Sequence, residues 1–240
     1  MPALAPSDAI AVTAAGARTQ PLRAQSDPRL HDIFQRAAGR PTCSPRRLKK
    51  GERLFHPGER FTAIYAVQRG SFKTSVSDEA REQVLGFFMV GDALGLDSLD
   101  TGWHGVAAIA LEDSEVYIIP LAMLEHTAHE DLSLHRALNA ELAREIVRNH
   151  GVMMLLGSMS AAQRVAAFLI GLSERFVSRG YSPREFHLRM TRREIASYLG
   201  LKMETVSRVF SGLARDGLIA VDQKRVRILD IAGLRRGLTA

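Results

Sequence analysis

The chain of 240 residues is 46% hydrophobic and 24% charged, carries a formal net charge of +6 and has a single cysteine. Those proportions exclude wholesale disorder and suffice for two modest domains with real cores. One thiol excludes an intrachain disulfide. With no apolar run of about 18 residues and no charged start followed by an apolar core, the expectation is a protein of the reducing cytoplasm.

Residues 1–28 are rich in Ala, Pro and Ser without apolar periodicity, which predicts a flexible tail. A first domain is assigned to 29–130, entered by a short helix at 29–39. Within it the runs ERLF, AIYAVQ, SFKTSV, QVLGFF, VAAIAL and EVYIIP alternate with turns at Gly51, Gly58, Gly70, Gly91 and Gly95. Short strands in such close succession predict a sandwich or barrel. The glycines read as corners, and no phosphate-cradling G-x-x-x-x-G-K-[ST] occurs.

A long helix follows, from about Leu121 or Leu132 through Leu156, and 131–158 is assigned to it. Leu134, Leu138, Leu142, Ile146, Asn149, Met153 and Leu156 step by three or four residues, one apolar stripe with a single polar interruption. Such a stripe needs a partner: the chain's own first domain, or the same helix of a second copy. In a two-helix seam Asn149 would fix register without placing a charge there.

The densest signal lies at 191–210, TRREIASYLGLKMETVSRVF. Thr191 fits an N-cap, and Glu194 three residues on completes a capping box. Ala196 is small where two helices approach, and Gly200 suits a left-handed turn. Ile195, Leu199, Leu201, Val206 and Val209 fall on inward positions, which leaves Lys202, Met203, Glu204, Ser207 and Arg208 outward. A guanidinium can bond guanine O6 and N7, and a carboxylate can accept from the cytosine amino group, so Glu204, Ser207 and Arg208 are candidates to read bases in a major groove. Thr191, Arg192, Lys202, Met203 and Thr205 are candidates for the other DNA contacts. The competing reading is a plain helical hairpin in which Glu204 and Arg208 form a surface ion pair.

LIAV (218–221) and VRIL (226–229) flank DQKR as a hairpin beside the second helix, with Lys224 and Arg225 at its tip as candidate phosphate contacts. From Arg189 to Arg227 nine Lys/Arg stand against four Asp/Glu, so most of the basic excess lies here. Double-stranded DNA is the partner that such a balance suits.

Residues 183–221, together with 49–76, 86–99 and 164–186, closely resemble the CRP/FNR family of bacterial transcription regulators, its FNR branch most of all. The resemblance implies an α+β fold: an N-terminal β-roll like that of cyclic-nucleotide-binding domains, a dimerisation helix, and a winged helix-turn-helix over 159–240. It also implies a homodimer that reads palindromes similar to TTGAT-N4-ATCAA through E-x-x-S-R, here Glu204, Ser207 and Arg208. RGYSPREF (179–186) resembles the family's activating loop, so Tyr181, Ser182, Pro183, Arg184 and Glu185 are expected to contact RNA polymerase. The hairpin near SDEAREQ (77–83) is a second candidate contact, one residue shorter than in the FNR pattern.

The signal sensed is where the chain departs from its relatives. An FNR-type iron–sulfur cluster takes four thiolates, but no cysteine precedes Cys43 and Tyr117 stands where the fourth would be. Cys43 matches none of the four; a redox switch is the role left open to it. The cyclic-AMP-binding relatives use a glutamate and an Arg-Ser pair where this chain has Leu96 and His104-Gly105. Histidines at 31, 56, 104, 126, 129, 135, 150 and 187 keep haem-based gas sensing as an alternative, without a metal-ligand pattern beyond the i, i+3 pair His126 and His129. The leading expectation is an activator of the cofactor-less, FixK-like kind, with a pure repressor as the competitor. An enzyme, for instance of the cupin type, is not expected, since H-x-H, G-x-S-x-G, H-E-x-x-H and C-x-x-C are all missing.

Overall fold

The computed structural model describes residues 44–78, 81–123 and 132–238, with side chains in the long helix described from residue 136 onward. The tail, the helix expected at 29–39, Cys43, His31, His126, His129 and the side chain of Leu134 lie outside the described residues.

Two antiparallel four-stranded sheets face each other. One has the order β1 (Ser44–Leu48), β8 (Ser114–Pro120), β3 (Ala63–Arg69), β6 (Ala93–Leu94); the other β2 (Arg53–Phe55), β7 (Ala107–Ala110), β4 (Ser71–Ser77), β5 (Glu82–Met89). Phe55, Val67, Phe72, Leu94, Ala108 and Val116 close the space between them. Each large side chain removed from water there is worth about 1.5–3 kcal/mol. At the β3–β4 turn Gly70 has φ 80°, and a Cβ would come within 2.8 Å of the Ser114 Cα, so this corner admits only glycine. Two strands carry no apolar alternation: in β1, SPRRL, only Leu48 is buried, and β6 is two residues long. Pairing with β8 and β3 holds them in place.

The long helix α1 (Leu132–Ser158) has two different halves. Leu138 and Leu142 rest against Phe61, Ile64, Ala93 and Ile119 of the sandwich. From Glu141 onward its inward side is also ionic: Glu141, 4% exposed, takes Arg144 at 2.7 Å, and Arg148 meets Glu145 at 3.0 Å while lying 5.6 Å from the Phe88 ring centre. Ile146, Val147, Met153, Met154 and Leu156 remain exposed, Met153 at 69%. Asn149 is exposed among them.

The C-terminal unit starts at α2 (Ala161–Val177), where Ser160 and Gln163 form a capping box. Then come β9 (Glu185–His187), α3 (Arg192–Leu199), α4 (Met203–Arg215), β10 (Ile219–Asp222), β11 (Arg225–Ile228) and α5 (Ile231–Arg236). The wing is a three-stranded sheet ordered β10-β11-β9, one strand more than the expected hairpin. The three-residue β9 has no periodicity of its own and exists through its pairing with Arg225–Arg227. Val165, Leu169, Ile195, Leu199, Val206 and Ile228 fill the core of this unit, and Val84, Phe87 and Leu111 of the sandwich belong to the same cluster. The two units therefore share one hydrophobic core.

Candidate nucleic-acid interface

The interface is built on α3 and α4. Thr191 Oγ1 accepts the Glu194 amide N–H at 3.2 Å, and Glu194 accepts the Thr191 amide at 2.6 Å and its hydroxyl at 2.9 Å. The helix thus starts where local chemistry dictates. It ends at Gly200, φ 61° and ψ 39°, whose amide returns to the Ala196 and Ser197 carbonyls. Arg164 of α2 ties the turn down, donating to the carbonyls of Leu199, Met159 and Leu156 at 3.0–3.1 Å. Ile195, Ala196, Leu199 and Val206 are buried as the pattern requires; Leu201 and Val209 are half-buried, and Phe210 supplies a further buried anchor.

Lys202, Met203, Glu204, Ser207 and Arg208 are exposed on one side of α4, with Thr205 half-buried beside them. The Ser207 hydroxyl donates back to the Met203 carbonyl at 3.0 Å, and the Arg208 guanidinium lies 3.5 Å from Thr205 Oγ1. Among the described residues no ion pair joins Glu204 to Arg208, so the carboxylate and the guanidinium are not spent on each other. The first turn of α4 has no side-chain cap at Lys202, which leaves its amide N–H groups available to an anion.

The other expected contacts differ in freedom. Thr191 commits its amide and hydroxyl to the capping box. The Arg192 guanidinium stacks 3.4 Å from the Phe210 ring centre, and burial pulls its pKa below the ordinary guanidinium range. Lys224 is in the wing turn, beside Gln223 with φ 52°, and reaches the Arg189 carbonyl at 3.4 Å. Arg225 is not at the tip: it lies in β11 opposite Asp222 and His187, and its guanidinium pairs with Glu185. That same pairing places Glu185 in the wing sheet, while Tyr181, Ser182, Pro183 and Arg184 form an exposed turn before it.

Three residues that bear on this surface gave no signal in the sequence. Lys73 of β4 and Asp92 after β5 are both buried and contact the C-terminal unit. Burial would lower the Lys73 pKa, but hydrogen bonds to Glu82 and Glu194 outweigh it and hold the ammonium above its ordinary range. Burial likewise would raise Glu194, but the Thr191 amide and the Lys73 ammonium keep its carboxyl low. Arg175 carries the partner charge for Asp92 at the other end of β5.

In the β-roll, Leu96 and His104 are 7% and 2% exposed. Burial pushes the His104 pKa below its ordinary value, and the charged groups acting on it are the carboxylates of Asp97 and Glu59. Neither Leu96 nor the buried His104, stacked on Phe55 and bonded to Ser98, supplies the guanidinium that a cyclic phosphate would pair with at these positions. Among the described residues no group of three or more His, Cys, Asp or Glu is placed to hold a metal ion, and no helix is long and apolar enough to cross a membrane.

Comparison with known proteins agrees with this geometry. Residues 45–131 match the cyclic nucleotide-binding domain and residues 163–237 the Crp-like helix-turn-helix domain. The chain is 45% identical over 202 residues to the transcriptional activator protein Anr of Pseudomonas protegens, covering 84% of this chain and 80% of that one. It is 41% identical over 191 residues to the transcriptional regulatory protein Btr of Bordetella pertussis, covering 79% of each. Among solved structures, FixK2 from Bradyrhizobium japonicum superposes with a TM-score of 0.74 at 29% identity, covering 81% of this chain and 96% of that one. With its β-roll, its helix-turn-helix and these relatives, the chain belongs to the CRP/FNR family and is a DNA-binding transcription regulator, not an enzyme.

Proposed function

We propose that this regulator binds TTGAT-N4-ATCAA-type palindromes as a homodimer, without an iron–sulfur cluster or cyclic nucleotide, and activates transcription by touching RNA polymerase. The observation that carries the reading is the exposed set Glu204, Ser207 and Arg208, one turn of α4 with the chemistry to read a half-site and, among the described residues, no competing ion pair. The exposed half of the α1 stripe supports a two-fold partner, which a palindrome requires of the protein. One cysteine cannot supply the four thiolates of a cluster. The exposed turn Tyr181–Ser182–Pro183–Arg184 supports a polymerase contact.

The test is a titration of aerobically purified protein onto the palindrome and a scrambled duplex at fixed salt, with an absorption spectrum of the same sample. Tight, selective binding by a colourless protein is expected. Binding only after addition of a small molecule refutes the constitutive reading, and a Soret band makes the protein a haem sensor. Transcription from templates with the site upstream of the promoter, against templates with the site overlapping it, separates activation from pure repression.

A further inference from the structure

The β-roll reaches into the helix-turn-helix through one side chain. Lys73, central in β4 and 7% exposed, places Nζ 2.8 Å from Glu82 of β5 and 2.9 Å from Glu194 of α3. Glu194 is also the carboxylate that closes the capping box on Thr191. Beside it the Ser197 hydroxyl donates to the Glu82 carbonyl and accepts the Val84 amide, both at 2.8 Å. Further along β5, Phe87 packs on Tyr198 and Phe168 with centroids 5.2 and 6.1 Å away. In the turn after the strand, buried Asp92 accepts from Arg175 at 2.5 Å and Arg179 at 2.7 Å, and Arg179 also donates to the Val90 carbonyl.

These contacts run the length of β5, roughly 20 Å at the rise of an extended strand. Anchors so far apart restrain rotation as well as separation. The reading residues Glu204, Ser207 and Arg208 stay exposed throughout, so the docked arrangement presents the DNA-binding face and does not mask it. In a dimer, the span between two recognition helices follows from how each helix-turn-helix sits on its own β-roll. One added base pair moves a half-site by about 3.4 Å and turns it by about 34°, so a fixed seat accepts one spacing.

We propose that Lys73 is a positioning residue for operator recognition: by tying Glu82 to Glu194 it holds the helix-turn-helix in one orientation on its β-roll and thereby sets the half-site spacing that the dimer accepts. Without the ammonium, two carboxylates face each other and the seat loosens. The spacing part rests on the palindrome reading above; the orientation part does not.

The test compares full-length wild type with Lys73→Met, Glu194→Gln and the double variant. Glutamine keeps the capping box, so Glu194→Gln removes the ion pair without unpicking the helix start. First, spin labels at exposed positions 69 and 215, in a Cys43→Ser background diluted with unlabelled protein, report the distance between β-roll and helix-turn-helix without DNA. A narrow wild-type distribution that broadens in each variant is expected; equally narrow distributions in all overturn the proposal. Second, affinities are measured for palindromes with three- to six-base-pair spacers and for a single half-site. Each variant should lose about tenfold or more on the preferred spacer, keep half-site affinity within about twofold and flatten the spacer preference, with the double variant no worse than either single one. An unchanged spacer preference overturns the proposal, and so does a gain in affinity, which would make the contact an inhibitory lock. A variant that loses half-site and palindrome binding by the same factor has lost folded protein; if Lys73→Met does so, Glu194→Gln decides. If wild-type protein prefers no spacer, the palindrome reading fails and the label distances alone decide the orientation.

Discussion

The His104 imidazole lies flat on the Phe55 ring, centroids 3.7 Å apart and planes 9° apart, with Nδ1 2.9 Å from Ser98 Oγ and Nε2 buried without a hydrogen-bond partner among the described residues. An imidazole so enclosed is held neutral, because charging it would bury a cation against aromatic walls.

A pH dependence follows from that contact. The unfolded chain takes up this proton near pH 6.5, about the ordinary value, while burial delays it in the folded state. The residue's contribution is therefore complete above about pH 6.5 and is lost as pH falls toward the depressed folded value. Between about pH 7.5 and 5.5 the wild-type melting midpoint should fall by a few degrees more than that of His104→Gln, which has no such proton to take up. Parallel slopes in calorimetric scans would refute this.

Base reading and phosphate binding separate by mutation. Arg208→Ala should cost about 1–3 kcal/mol on the operator and erase discrimination at one base pair, measured by competition with singly substituted half-sites. Lys224→Ala should weaken all sequences alike and reduce the salt slope by about one.

The exposed half of α1 gives a third expectation. Met153→Glu and Ile146→Glu place charges where side chains are 69% and 55% exposed, so a protomer should keep its fold. Sedimentation should show dimer affinity falling by about a hundredfold or more, with palindrome binding lost in parallel.

At Gly200 a Cβ would meet Leu156 Cδ2 at 3.0 Å on a left-handed backbone. Gly200→Ala should destabilise the fold by about 1–2 kcal/mol in urea titrations, and Gly200→Asn by less, since asparagine tolerates that region better.

The helix-turn-helix was legible because its signals are local. The capping box at Thr191 and Glu194, the small Ala196 and the left-handed Gly200 each act within a few residues, and the structure repeats them. The longer apolar strands were legible for the same reason. Strands β1 and β9 were not: SPRRL and EFH have no alternation to read and owe their conformation to partners about 70 and 40 residues away, Ser44 to Ile118 and Phe186 to Val226. Arg225 moved from the expected wing tip into a strand for that reason.

Spacing along the chain carried the family, the β-roll followed by a helix-turn-helix, and the outward positions of α4, since helix caps, turn glycines and outward positions depend on near neighbours. Only the tertiary structure decided which side chains are shared between the units. It split the α1 stripe, seating Leu138 and Leu142 on the β-roll and leaving Ile146 and Met153 outside, and it made Lys73 a buried tie to Glu194. Burial and ion pairing depend on what packs opposite, and the groups opposite Lys73 include one more than a hundred residues away in the chain.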